Sequence, residues 1–383
     1  MPTLRETRWN NIATSIKQAI RRGDLQPGAR IATEIEMANQ WNVSTMTVHR
    51  ALSELQREGW VIRRRKVGTV IADLSIQPRT KIGVVFTSFS GLPQREYLNG
   101  IEQALDKSYK LEVTCTNGNG LEEAASLKEM CDQCSAIICY PTGTPDNTPL
   151  LKKIVAAMPL VFVDRIPNGI RADVVMTDNY GSMLDGLNYM RSQGHRRIAY
   201  IMEDPINDSS VDERYAAYRD FMRDAQPDRD PRAWVFCLPG ILLRSQWYDR
   251  VESVIAGLMR APEPLRITAV ACQQEVIMAT VLNASVRLGI SIPGELEVLS
   301  FDDAQPNGQP LAHYVHRLVQ QRVEMGNMAT KRVQTRLNDL GVMPLVMRLK
   351  ADLFPAAGYD LSPVAVEFLS SRQTKQTRQG RDQ

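Results

Sequence analysis

The chain has 383 residues, 43% of them hydrophobic, with 46 Lys or Arg against 43 Asp or Glu. That length exceeds one small module and the apolar share can bury a large core, so two or three domains are expected. No stretch reaches the apolar length needed to cross a bilayer, and the start MPTLRETRWNN is polar where a signal peptide would be apolar, which predicts a cytoplasmic protein with no membrane partner.

Trp9, Ile12, Ala13, Ile16 and Ile20 recur at helical steps and predict a first helix over roughly Thr7 to Arg22. The run GDLQPG (Gly23 to Gly28) stops it. Thr33 and Glu36 then form a capping-box signature for a second helix whose expected buried face is Met37, Ala38 and Trp41. Asn42 and Val43 make a turn. Ser44 can cap a third helix, with Thr47 in its first turn, that points Val48, Ala51, Leu52 and Leu55 inward and stops at Gly59. Its outer face begins with Thr45, Met46, His49 and Arg50. Trp60, Val61 and Ile62, then Val70 and Ile71, read as two strands joined by a basic turn, Arg63, Arg64, Arg65 and Lys66, ahead of Gly68. One helix set against base edges and a basic hairpin set against phosphates is how a winged helix-turn-helix meets double-stranded DNA.

Charge is segregated in the same sense. Residues 1–80 hold 13 Lys or Arg against 7 Asp or Glu, whereas residues 81–370 are net acidic. A basic segment attracts phosphate by counterion release, which supplies salt-sensitive affinity without sequence choice.

Residues 7–72, with the GDLQPG turn, NVSTMTVHRALSELQREGWV and a basic wing ending in GT, resemble the DNA-binding domain of the gluconate-repressor (GntR) family. Two positions depart from it. An arginine usual after Ser44 is Thr45, and the first wing glycine is Lys66, so the family's operator does not carry over. The resemblance implies DNA contacts from Thr33, Ser44, Thr45, Met46, Thr47, His49 and Arg50, and from the wing's Arg63, Arg64, Arg65, Lys66 and Gly68.

DLSIQPRT (73–80) has no apolar period and reads as a linker. Beyond it KIGVVF, AIICYP, PLVFVD, RIAYIM, AWVFCL, ITAVAC and EVLSF are short buried-strand runs, most of them separated by helix-length segments. They predict an α/β protein with a doubly wound parallel sheet, in which ligands bind beyond the strands' carboxyl ends. Those ends carry Thr87 and Ser88, Asp164 and Arg165, Gln273 and Gln274, and Asp302 and Asp303.

Residues 81 to about 350 resemble the effector domain of the lac-repressor (LacI/GalR) family and its periplasmic sugar-binding relatives, through PLVFVDR, VVMTDNYGSMLDGLNYMRSQGHRRIAYI, ERYAAYRDFM and LGISIPGELEVLSFDD in family order. This implies a periplasmic-binding-protein-like domain of two similar lobes with a small molecule between them. A GntR-type head on such a body is an arrangement similar to the arabinose repressors. The family's sugar-binding residues map onto Asp164, Arg165 and Arg214, with Asp302, Gln274, Ser90 and Arg95 as further effector candidates. Gln273 and Gln274 stand where Asn-Asp is usual. By alignment Gln94 and Arg95 replace the aromatics that stack on sugar rings. One carboxylate lost and one cation gained favours a sugar-like effector that is more polar, or an anionic metabolite.

An enzyme on the same fold is disfavoured. There is no GxSxG elbow, phosphate loop, HExxH or GxGxxG after a strand, and Asp302 and Asp303, as neighbours on an extended segment, would point opposite ways. Four histidines and a lone CxxC (Cys131, Cys134) predict no metal, the six cysteines read as reduced thiols, and no cofactor is implied. The reading is therefore a DNA-binding transcriptional regulator, a repressor by preference, controlled by an effector. It would have a winged head over 1–72, a linker over 73–80, a two-lobed effector and dimerisation domain over 81–370, and a disordered basic tail over 371–383. The alternative is a regulator whose second domain only dimerises.

Overall fold

A computed structural model describes residues 4–64, 67–72, 80–88, 92–204, 208–239, 244–263, 265–302, 314–339 and 341–357. Asp303, most of the expected linker and the expected basic tail lie outside them. Among the described residues no helix is long and apolar enough to cross a membrane, and no group of three or more His, Cys, Asp or Glu could hold a metal ion.

The head starts with α1 (Leu4–Arg22), α2 (Glu34–Trp41) and α3 (Thr45–Arg57), followed by the antiparallel pair β1 (Val61–Arg64) and β2 (Gly68–Ile71). Its core joins Ile12, Ala13, Ile16 and Ile20 of α1 to Met37 and Ala38 of α2, and to Val48, Ala51, Leu52 and Leu55 of α3. The GDLQPG segment earns its place by pairing: Gly28 and Ile31 N–H groups donate to the carbonyls of Ile71 and Thr69, so the chain before α2 lies along β2. Trp41 corrects the expected buried face, being 37% exposed. α2 ends there at left-handed Asn42, and Val43 packs on the core at that level instead.

Next come β3 (Lys81–Phe86), α4 (Leu92–Ala104), β4 (Lys110–Cys115), α5 (Gly120–Gln133), β5 (Ala136–Cys139), α6 (Thr148–Ala157), β6 (Leu160–Val163) and β7 (Asp173–Thr177). They are followed by α7 (Asn179–Ser192), β8 (Ile198–Glu203), α8 (Ser209–Ala225), β9 (Val235–Leu238), α9 (Arg244–Arg260), β10 (Ala269–Cys272), α10 (Glu275–Leu288), β11 (Glu297–Phe301) and β12 (His316–Val319). α11 (Arg322–Asn338), β13 (Val346–Leu349) and β14 (Asp352–Phe354) complete the order.

Among the described residues these form two six-stranded sheets, β13-β7-β6-β5-β3-β4 and β14-β12-β11-β10-β8-β9. The orders correspond term for term, and so does the register: Val85 pairs with Cys139 in one sheet as Ile201 pairs with Cys272 in the other. β5, β6 and β10 are buried at every residue, the pattern of parallel strands covered by helices on both faces.

The described chain divides into two compact units. The first holds Met1–Val163, Gly169–Val174 and Gly326–Val346; the second holds Asp164–Asn168, Val175–Met325 and the residues from Met347 on. In the first, α11 packs so closely on α4 that a Cβ on Gly326 would lie 2.2 Å from the Tyr97 carbonyl oxygen. Asp173, fully buried, ties three segments of that unit together. Its Oδ1 accepts from Arg332 Nε at 2.6 Å and from the Leu345 N–H at 2.9 Å, and its Oδ2 lies 2.8 Å from Arg336 Nε.

In the second unit, Glu297 opens β11 between two histidines, 3.3 Å from His195 Nε2 and 2.8 Å from His316 Nε2. The Ala356 N–H donates to His316 Nδ1, so Nε2 carries the ring hydrogen that Glu297 accepts. Hydrogen bonds from His195 and His316 lower the Glu297 carboxyl from its ordinary 4.5 to about 2. A folded value below the unfolded one gives stabilisation that is complete above about pH 4.5 and is lost as pH falls toward 2. Glu297→Gln should flatten the acid limb of unfolding in that window, followed by circular dichroism; an unaltered limb would take Glu297 out of the account.

Candidate DNA interface and effector site

The helix caps of the head come first, because they aim α3. Thr33 Oγ1 accepts from the Glu36 N–H at 3.3 Å, while Glu36 Oε2 accepts from the Thr33 N–H at 2.7 Å, closing the capping box. The Thr33 N–H and then the Thr33 hydroxyl, both donating to Glu36 Oε2, lower the Glu36 pKa. Ser44 Oγ accepts from the Thr47 N–H at 3.2 Å and shares a hydrogen bond of 2.8 Å with the Thr47 hydroxyl. Thr33, Ser44 and Thr47 are thus partly occupied in fixing helix starts. Thr45, Met46, His49 and Arg50 stand exposed on one side of α3, Met46 at 73%. Arg50 places its guanidinium over the Trp9 ring, 5.0 Å from the centroid.

On the wing, Arg64 is exposed and pairs across the hairpin with Gly68. Gly68 has φ 98°, a backbone conformation that favours glycine, and lies close against the Arg30 guanidinium. Arg65 and Lys66 lie outside the described residues. Arg63 turns back to the head, its Nη2 donating to Glu34 Oε1 at 2.9 Å. Glu34 and Arg30 were not singled out from the sequence. Glu34 was hidden behind Glu36, which alone completes the capping signature, and Arg30 behind the turn that precedes it.

In the second unit, Arg214 of α8 is 4% exposed. Its Nε donates to Asn179 Oδ1 at 2.8 Å, its Nη1 donates to the Gln273 carbonyl at 2.9 Å, and its guanidinium lies 3.6 Å from the Phe301 ring centroid. Asp302, just past β11, lies 4.0 Å from the same Nη1. Its Oδ1 accepts from Gln320 Nε2 at 2.5 Å and from Arg322, and Gln320 Oε1 accepts from the Thr177 hydroxyl. The sequence reading named Arg214 and Asp302 but missed Asn179, Gln320 and Arg322. Their signal was present as polar residues at the ends of β7 and β12, two strands absent from the expected set.

Asp302 has φ 72°, as does Asp164, so each is left-handed where an extended strand end was expected. Asp164 is buried and accepts from Arg165 Nε at 3.0 Å, and Arg165 reaches Asp208 as well. Gln274 is half-buried and donates to Glu203 Oε2 at 3.1 Å. Arg95 is exposed on α4 of the first unit, and Ser90 lies outside the described residues.

Gln273 and Gln274 carry no charge, and Glu275, the next residue and the first of α10, is a carboxyl whose pKa is raised toward the neutral form by burial and then by the nearby Asp302, with Arg322 and Arg214 acting the other way. The second-unit site thus sets the Asp302 carboxylate beside the guanidinium groups of Arg214 and Arg322.

Comparison with known proteins agrees with both halves. Residues 9–71 match the family described as bacterial regulatory proteins, gntR family, and residues 187–349 match the periplasmic binding protein-like domain. The arabinose metabolism transcriptional repressor of Geobacillus stearothermophilus is 28% identical over 296 residues, covering 73% of this chain and 78% of its own. The regulator GalR of Salmonella typhimurium is 24% identical over 334 residues, covering 82% and 91%. Among solved structures, the transcription regulator CcpA of Lactococcus lactis superposes with TM-score 0.61 at 17% identity, over 72% of this chain and 98% of that one. The chain is a transcriptional regulator in which a DNA-binding domain of the gntR family precedes a periplasmic-binding-protein-like domain.

Proposed function

We propose that the chain is a cytoplasmic repressor that binds double-stranded operator DNA as a homodimer and is switched by a neutral, sugar-like polyol. The domains would be those expected from the sequence: head 1–72, linker 73–80, effector and dimerisation domain 81–370, tail 371–383. Asp164, Arg165, Arg214, Gln274 and Asp302 would serve the effector, with Glu275 and Arg322 added, and Arg95 and Ser90 as further candidates from the first unit. The observation that carries this reading is the buried Arg214 and Asp302 set, in which a carboxylate, an amide and two guanidinium groups converge. Such a set can donate to and accept from paired hydroxyls. Relatives named for arabinose metabolism support a sugar-like ligand.

The decisive experiment titrates a panel of pentoses, hexoses and sugar phosphates against preformed protein and operator complex. One compound should shift operator affinity by about 5- to 150-fold, and linkage requires DNA to shift its affinity by the same factor. Arg214→Ala and Asp302→Asn should abolish the response while operator binding persists. Full response in both variants would place the effector elsewhere. No response to any compound in the wild type would favour the reading in which the second domain only dimerises. A response confined to sugar phosphates would restore the anionic class.

A further inference from the structure

Glu34 is an anion on a surface that meets polyanionic DNA, and its two partners are both candidate DNA-binding residues. Its Oε1 lies 3.0 Å from His49 Nδ1 and 2.9 Å from Arg63 Nη2. Arg63 Nη2 also comes within 3.4 Å of the same ring nitrogen, but its shorter bond is to the carboxylate. An ionised carboxylate only accepts, so the hydrogen shared at 3.0 Å belongs to His49 Nδ1. In the neutral ring that leaves Nε2 as an acceptor. His49 is one turn beyond Thr45 on the exposed side of α3, with its side chain 49% accessible. Among the described residues the charged groups at the ring are Glu34 from α2 and Arg63 from β1, while the adjacent Arg50 of α3 is drawn over Trp9.

We propose that Glu34 is a positioning residue for base recognition: by holding Nδ1 of His49 it presents Nε2 to an amino-bearing base edge, cytosine N4 or adenine N6, in the major groove. These are the two base edges that offer an N–H donor there. Arg63, tethered to the same oxygen, is kept beside His49 as a cation whose charge the carboxylate offsets until phosphate approaches. Protonation of the ring turns Nε2 from acceptor to donor, and the favoured partner then becomes an acceptor edge such as guanine N7 or O6. The inference deepens the DNA-binding reading and rests on it.

The test selects bound duplexes from a randomised pool with the full-length wild type and with Glu34→Ala, Glu34→Gln and His49→Ala, then measures affinity for the selected duplex, its single-base variants and an unrelated duplex. The wild type should prefer cytosine or adenine at one position per half-site by about tenfold, the usual cost of one mismatched pair. His49→Ala and Glu34→Ala should lose most of that preference and leave other positions intact. Glu34→Gln should keep it, since the amide oxygen still accepts from Nδ1–H. Both Glu34 variants should bind the unrelated duplex more tightly, having lost a negative charge near phosphate. Unchanged base preference in Glu34→Ala would overturn the proposal. So would a uniform loss of affinity for selected and unrelated duplexes alike, which marks Glu34 as a fold residue of the head. A wild type that selects no sequence would overturn it together with the DNA-binding reading.

Discussion

Asp173→Ala is expected to lower the unfolding free energy by about 3 to 5 kcal/mol, the usual cost of removing one partner of a buried ion pair. The side chains of Arg332 and Arg336 are only 10% and 9% exposed, so both guanidinium groups would be left buried without their carboxylate. The Leu345 N–H would lose its acceptor as well. Denaturant unfolding of the purified variant reads the effect. Asp173→Asn should fall between the two, because it keeps an acceptor and the volume but not the charge. A loss below about 1 kcal/mol for Asp173→Ala would mean that water or the neighbouring carbonyls satisfy the arginines.

Leu52→Ala should be nearly as costly, at about 2 to 5 kcal/mol, because the side chain is fully buried where α1, α2 and α3 meet. The head has a small core, so a loss of this size takes a large share of its stability. DNA binding should disappear at temperatures where the rest of the chain still resists limited proteolysis. Retained operator affinity would show that the head borrows stability from outside its own core. Gln56, which donates to the Leu337 carbonyl at 2.8 Å, is one contact through which it could do so.

The head was legible in the sequence nearly to the residue, because caps, turns and helical spacing are local signals. Thr33, Ser44 and Gly68 do what their types imply. Trp41 was misplaced because a short helix ending in a left-handed turn hands its last core position to the following Val43. In the body, the seven apolar runs are all strands, since parallel strands buried on both faces need continuous apolar sequence. β4, with its charged, half-buried KLEVTC, and the short β7, β12, β13 and β14 were not read as strands. That gap concealed Gln320, Asn179 and Arg322, whose roles depend on where β7 and β12 end. Asp302 was marked by its place at a strand's carboxyl end, whereas Arg214 emerged only through resemblance. Nothing in their local sequence announces that a guanidinium will stack on Phe301 beside them.

Asp164 and Asp302 occupy matching places, each after the fourth strand of its repeat and each sending its N–H to a carbonyl of the next strand, Val175 or Leu318. Both hold φ 72°, a conformation that costs an ordinary residue about 1 kcal/mol and glycine almost nothing. Glycine would relieve that backbone cost at both places, but at Asp302 it would leave the buried Arg322 guanidinium without its carboxylate. The twin aspartates are thus two places where both repeats keep an unfavourable backbone for the sake of the side chain it carries.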